Sequence, residues 1–106
     1  MNKDFSLITL GTSAGPSLTP GRAQTSHLLT ENNTYYVIDA GDGVARRLAR
    51  AGVDVRDVGK IFLTHHHDDH TTGLATLLSL AWDRQRTDPI DVYGPPRTKE
   101  LVDAAV

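Results

Sequence analysis

Hydrophobic residues fall in short runs along this chain, and the spacing within the runs changes partway. Phe5–Leu10 (FSLITL) is a β-prone run closed by Gly11, which predicts a first strand. The next stretch, GTSAGPSLTPGR, is rich in Gly, Pro, Ser and Thr and predicts a loop. SHLLTENNTYYVIDAGDG then predicts a hairpin, with strands over Ser26–Thr30 and Thr34–Asp39 and Glu31-Asn32-Asn33 as the turn.

After Gly41 the period becomes helical. Val44, Leu48 and Ala51 share one face, with Arg46, Arg47 and Arg50 mostly off it; Asp42 is the expected N-cap and Gly52 the expected stop. KIFLTH predicts a buried strand. Leu74, Leu77, Leu78 and Ala81 predict a helix over about Thr72 to Arg84, with Trp82 packing it onto the sheet. PIDVYG predicts a last strand, and Pro96 the first turn of a last helix with Leu101, Val102 and Ala105 inward. The order β, β-hairpin, α, β, α, β, α predicts an α/β (α+β) fold: one mixed sheet with helices on at least one face.

Composition narrows the chemistry. The 106 residues suit one small domain spanning 1–106, with a thin margin for a core. A net charge of −2 gives the whole chain no pull toward nucleic acid or anionic membrane. There is no cysteine, so disulfides, thiolate metal sites and cysteine nucleophiles are excluded, and any transition metal must be held by His, Asp or Glu. MNKDFSLITLG lacks the charge and apolar pattern of a signal peptide, and no apolar run is long enough to span a membrane, so a cytoplasmic location is expected.

The chemistry concentrates in FLTHHHDDH, which contains four of the 5 histidines and two adjacent aspartates. It follows an apolar strand, where sites in α/β folds commonly lie, and His and Asp are the ligand types for zinc, manganese or iron(II). Residues two apart in an extended segment point the same way, so His65 and His67 can converge on one ion. Asp69 and His70 follow at a turn and can face a neighbouring ion.

This run resembles the His-x-His-x-Asp-His signature of the metallo-β-lactamase-fold hydrolases, and it matches only when read from His65, leaving His66 and Asp68 as spacers. ITLGTSAGP, YYVIDAGDG, IFLTHHHDDHTTGL and IDVYGPP extend the resemblance in the family's order. They are similar to the branch containing ribonuclease Z, phosphodiesterases, and arylsulfatase-like or lactone-hydrolysing enzymes.

The resemblance implies the amino-terminal half of a four-layer αββα sandwich with two divalent ions at the sheet edge, zinc in first place, manganese or iron as alternatives. His65 and His67 would hold the first ion, and Asp69 and His70 the second. Asp69 would also orient the attacking hydroxide or accept a proton. Asp39, at the end of VIDAG, would support the histidine loop by hydrogen bonding, the alternative being a turn or cap residue. The implied activity is hydrolysis of a small-molecule ester, lactone, sulfate ester or phosphodiester. The alternatives are a ribonuclease Z-like nuclease acting on transfer RNA, and a non-catalytic half-domain that binds metal or self-associates.

The family's site also uses a later histidine, a bridging aspartate and a last histidine, and no histidine follows His70 here. His27 occupies no ligand position and is expected to be a structural or surface histidine. The last helical pattern stops on VDAAV without a cap signal. The expectation is therefore a fragment carrying half a site, with an uncovered sheet face that favours a homo-oligomer or association with the missing carboxy-terminal half. By resemblance, GTSAGPSLTPGR lies near the site mouth, where Arg22 would meet an anionic substrate.

Overall fold

Alternation along the strands sets which face of the sheet is buried. In the computed structural model, which describes residues 5–13, 18 and 20–105, β1 (Phe5–Gly11), β2 (Ser26–Glu31), β3 (Thr34–Ala40), β4 (Val58–Phe62) and β5 (Asp91–Tyr93) form one sheet in that order. β1, β2 and β3 pair antiparallel, while β3, β4 and β5 pair parallel. Leu28, Val37 and Ile61 project to the same face and are fully buried.

The helices cover that face. They are α1 (Val44–Arg50), α2 (Asp68–Thr71), α3 (Leu74–Asp83) and α4 (Thr98–Ala105), with a 3-10 turn at Val55–Asp57. Val44 and Leu48 of α1 and Leu74 and Leu77 of α3 meet the sheet residues in one apolar core. The α/β (α+β) expectation, a mixed sheet with helices on one face, is met. No helix among the described residues is long and apolar enough to cross a membrane.

The hairpin turn is tighter than expected: Asn32 and Asn33 have φ of 51° and 66°, the two left-handed positions of a two-residue turn, so Glu31 pairs with Thr34 within the ladder. Several helix boundaries also differ. Gly43, at φ 90°, and not Asp42, precedes the first residue of α1, and no side chain caps that end. Ala51 is exposed just past α1, so the buried stripe is Val44 and Leu48, while Gly52 ends the helix with φ 81° as expected. The segment expected to be one helix from Thr72 starts at Leu74, because α2 forms separately before it. Pro96 lies in the turn ahead of α4, which starts at Thr98. Trp82 does not pack on the sheet; it is 78% exposed, off the buried stripe of Leu74, Leu77 and Ala81.

The other face of the sheet carries Leu7, Leu29, Tyr36, Phe62 and Tyr93; Leu29 pairs with both Leu7 and Tyr36, and Phe62 pairs with Tyr93. The Phe62 and Tyr93 rings stack at 5.1 Å, and Tyr36 lies 6.2 Å from Phe62. With Glu31 and Lys60 at its rim, this face forms an open depression of about 490 Å³.

Candidate metal centre

The site forms where β3 and β4 end. The β2–β3 register pairs Ser26 with Ala40 and His27 with Ile38, so Asp39 is the extra residue of a β-bulge. Its φ of 61° is left-handed, a conformation aspartate tolerates better than most side chains. The bulge turns the buried Asp39 carboxylate toward the segment leaving β4.

Three groups converge on that carboxylate. The Thr64 backbone N–H donates to Oδ1 at 2.8 Å, the Thr64 hydroxyl donates to Oδ2 at 2.9 Å, and His70 Nδ1 lies 2.8 Å from Oδ2. The carboxylate only accepts, so His70 must carry its proton on Nδ1, leaving the Nε2 lone pair free in the neutral ring. The single Thr64 hydroxyl proton goes to Asp39, so Thr64 Oγ1 accepts from His65 Nδ1 at 3.1 Å, and His65 Nε2 is likewise left free. Asp39 and Thr64 thereby set both rings in the tautomer a metal ion requires.

The second half of the site depends on close backbone packing. Asp69 and His70 lie on α2, a single turn begun by His67, whose carbonyl accepts from His70 N–H at 2.9 Å. A side chain on Gly41 would collide with the Asp69 carbonyl, and one on Gly73 with the Gly41 carbonyl, so α2 seats directly against the loop after β3. Gly73 N–H donates to Ala40 O at 2.8 Å across the same contact. Gln24 Oε1 accepts from Asp42 N–H at 3.1 Å and from the Thr72 hydroxyl at 2.8 Å, tying three segments together behind the site.

The result gathers His65, Asp69 and His70, one ligand atom of each lying within 4.8 Å of the others. The His65 ring is 3.9 Å from that of His70 and 4.6 Å, edge-on, from that of His67. His67 thus adjoins the trio through His65. His70 Nε2 stands 3.4 Å from Asp69 Oδ2. With its Nδ1–H committed to Asp39, a neutral His70 offers Asp69 only a lone pair, and two facing acceptors are reconciled by a cation between them. The donor set therefore fits a divalent ion of the zinc, manganese or iron type.

Of the two spacers, Asp68 is exposed and His66 turns away to the hydroxyl of Thr98, 2.8 Å distant. His66, His67, Asp68 and Asp69 line an open depression of about 470 Å³. His27 lies half-buried on β2, outside the cluster. Arg22 is exposed, and within the loop that contains it residues 14–17 and 19 lie outside the described residues. Asp83, Asp88, Asp91 and Asp103 are exposed and apart from the cluster; Asp91 faces Lys60 at 3.6 Å and Asp103 faces Lys99 at 2.7 Å.

Sequence reasoning missed Thr64, Gln24 and the glycine pair. A hydroxyl residue directly before the histidines was a usable sign for Thr64. Gln24 had none, since its partners are 18 and 48 positions away.

Comparison with known proteins places the chain. The family model described as anti-Pycsar protein Apyc1 matches residues 5–102. The chain belongs to the Apyc1 family. This Apyc1-family chain is also 38% identical over 86 residues to the ribonuclease Z of Treponema pallidum, covering 81% of the chain and 28% of that relative. It is 39% identical over 93 residues to the ribonuclease Z of Methanothermobacter thermautotrophicus, covering 87% of the chain and 30% of that relative.

Among solved structures, human tRNase Z, short form, superposes with a TM-score of 0.82 at 30% identity, over 92% of this chain and 37% of that one. The metallo-β-lactamase fold protein YhfI of Bacillus subtilis superposes with a TM-score of 0.75 over 96% of this chain and 41% of that one; at 18% identity the likeness is of fold alone. The chain therefore has the amino-terminal part of the metallo-β-lactamase fold, the superfamily the histidine run resembles. It spans 28–30% of the length of these curated relatives.

Proposed function

We propose that these residues form half of a binuclear metal site in a hydrolase that cleaves phosphodiester bonds. The observation that supports this best is the convergence of His65, Asp69 and His70 above the Asp39–Thr64 network, with free ring nitrogens directed by that network. Likeness to ribonucleases Z supports the phosphodiester among the ester classes the resemblance allows.

His65 and His67 would hold one divalent ion, and Asp69 and His70 a second, zinc being the first candidate and manganese or iron the alternatives. Bound ions supply Lewis acidity, lowering the pKa of water and neutralising charge on a substrate oxygen. The chain's own residues supply the rest: Asp39 and Thr64 hold the rings, and Asp69 accepts a hydrogen bond from the attacking water or takes its proton. The later ligands would come from residues beyond this part of the relatives' length. The open face with Tyr36, Phe62 and Tyr93 would be covered by the second sheet of that longer chain.

A small-molecule phosphodiester is favoured over RNA by the net charge of −2, since RNA binding draws on basic surface. The RNA reading is kept because the relatives at 38–39% identity are named ribonuclease Z. The deciding experiment assays the whole protein, loaded with zinc or manganese, on bis-p-nitrophenyl phosphate, a p-nitrophenyl ester, a lactone, an aryl sulfate and a precursor transfer RNA. Turnover of the phosphodiester, lost in His65→Ala, is expected. Activity confined to the ester, lactone or sulfate overturns the phosphodiester reading, and activity confined to the precursor RNA selects the nuclease. The 106-residue chain by itself is expected to bind zinc weakly and to hydrolyse none of them.

A further inference from the structure

The spacer His66 has a specific partner. Its Nε2 lies 2.8 Å from Oγ1 of Thr98, 32 positions away at the start of α4. The Thr98 hydroxyl also lies 2.6 Å from the carbonyl oxygen of Pro95. Two oxygens that close need a hydrogen between them, and the hydroxyl has only one. Thr98 therefore donates to Pro95 and accepts from His66, whose proton sits on Nε2. The hydroxyl is a buried relay between a turn and the histidine loop.

The place of this bond explains its use. β4 and β5 stay paired as far as Leu63 N–H and Tyr93 O, 2.8 Å apart, and then diverge. Beyond that point the run His65–His67 has left the sheet. On the β3 side it is held by Asp39 and Thr64. On the β5 side the His66–Thr98 bond is its tie. Gly94 makes room for it, since a side chain there would collide with Thr98 Oγ1.

We propose that Thr98 is a positioning residue for the metal centre: through His66 it anchors the ligand loop to the β5–α4 junction and so holds His65 and His67 in place. The inference rests on reading His65 and His67 as ligands. His66 itself is the tether, its Nε2 proton facing Thr98.

The test uses the 106-residue chain, with amide hydrogen exchange of residues 64–68 as one readout and zinc titration against a competing chelator as the other. Thr98→Val keeps the shape and removes the acceptor; His66→Leu removes the donor. Either is expected to speed exchange in the loop and weaken zinc about three- to tenfold, as for loss of one buried hydrogen bond. Thr98→Ser and His66→Gln, which restore an acceptor and a donor, are expected to return both readouts to within about twofold on the same reasoning. The double variant Thr98→Val/His66→Leu should lose no more than either single one.

A purely structural role for Thr98 would lower the melting temperature in Thr98→Val and leave His66→Leu unaffected in both readouts, which overturns the proposal. Weakened zinc binding in His66→Gln makes His66 a ligand and also overturns it. Should Thr98→Val fail to fold, His66→Leu and His66→Gln decide between them. If the unsubstituted chain binds no zinc, the metal reading fails, while loop exchange still decides whether the tether exists.

Discussion

His70 Nδ1 and Asp39 Oδ2 lie 2.8 Å apart, one at the end of α2 and the other on the bulge of β3. This contact decides which nitrogen of His70 faces Asp69. Replacing Asp39 with Asn removes the negative charge and leaves one acceptor oxygen where Thr64 and His70 together use two, so a donor NH2 must face one of them. Zinc affinity is expected to fall about 10- to 100-fold, the usual cost of losing a group that orients a metal-binding histidine. Chelator competition measures it, and an unchanged affinity would count against the orienting role.

Thr64 makes the same point for His65. Thr64→Val keeps the shape but removes the hydroxyl that both donates to Asp39 and accepts from His65. The expected result is loss of a single Nδ1–H tautomer at His65, read from the ring nitrogen shifts by NMR, and weaker zinc binding. Persistence of that tautomer in Thr64→Val would mean another group sets it.

Gly73→Ala should destabilise the chain by roughly 1–3 kcal/mol, the range for overpacking a tight contact. The added methyl would meet the Gly41 carbonyl and the Val44 side chain, and the carbonyl, being backbone, has little room to yield. Urea unfolding measures the loss. Gly52→Ala serves as the contrasting control: none of the described residues lies near its would-be methyl, and the cost there is one of backbone conformation at φ 81°.

Asp54 accepts from the Arg84 guanidinium at 2.6 Å and from the Arg56 backbone N–H at 3.0 Å. The Arg84 bond is the larger cause, and together they lower the Asp54 pKa from 3.8 to about 2. A depressed carboxyl stabilises the fold above its unfolded value and loses that contribution as pH falls through the folded one. The pair should therefore hold from neutral pH to about 4 and be lost between there and 2. Titration of the Asp54 carboxyl by NMR should give a midpoint near 2, moving up toward 3.8 in Arg84→Met. A midpoint unchanged by Arg84→Met would show that the Arg56 N–H alone sets it.

Phe62 stacks on Tyr93 across the open face, and both rings are exposed. The isolated 106-residue chain is expected to self-associate through that face, and Phe62→Glu to return it toward monomer in sedimentation velocity. Association that survives Phe62→Glu places the contact elsewhere.

Local pattern settled much of this protein. Two-residue alternation set the strands and their buried face, because Leu28, Val37 and Ile61 follow the pleat wherever the chain is extended. The candidate ligands were legible because they are consecutive and of rare type. What alternation could not supply were contacts between residues far apart in sequence. The bulge that aims Asp39 depends on how β3 pairs with β2. The tautomers of His65 and His70 depend on Thr64 meeting Asp39, and the turn of His66 on where α4 begins. Trp82 shows the same limit in the other direction: helical spacing placed it on α3, but only the packing decided that it faces outward. The sequence by itself determined which chemistry is present and where the chain leaves the sheet. The tertiary structure decided which atoms of those side chains face one another, because hydrogen-bond direction depends on partners that local pattern does not encode.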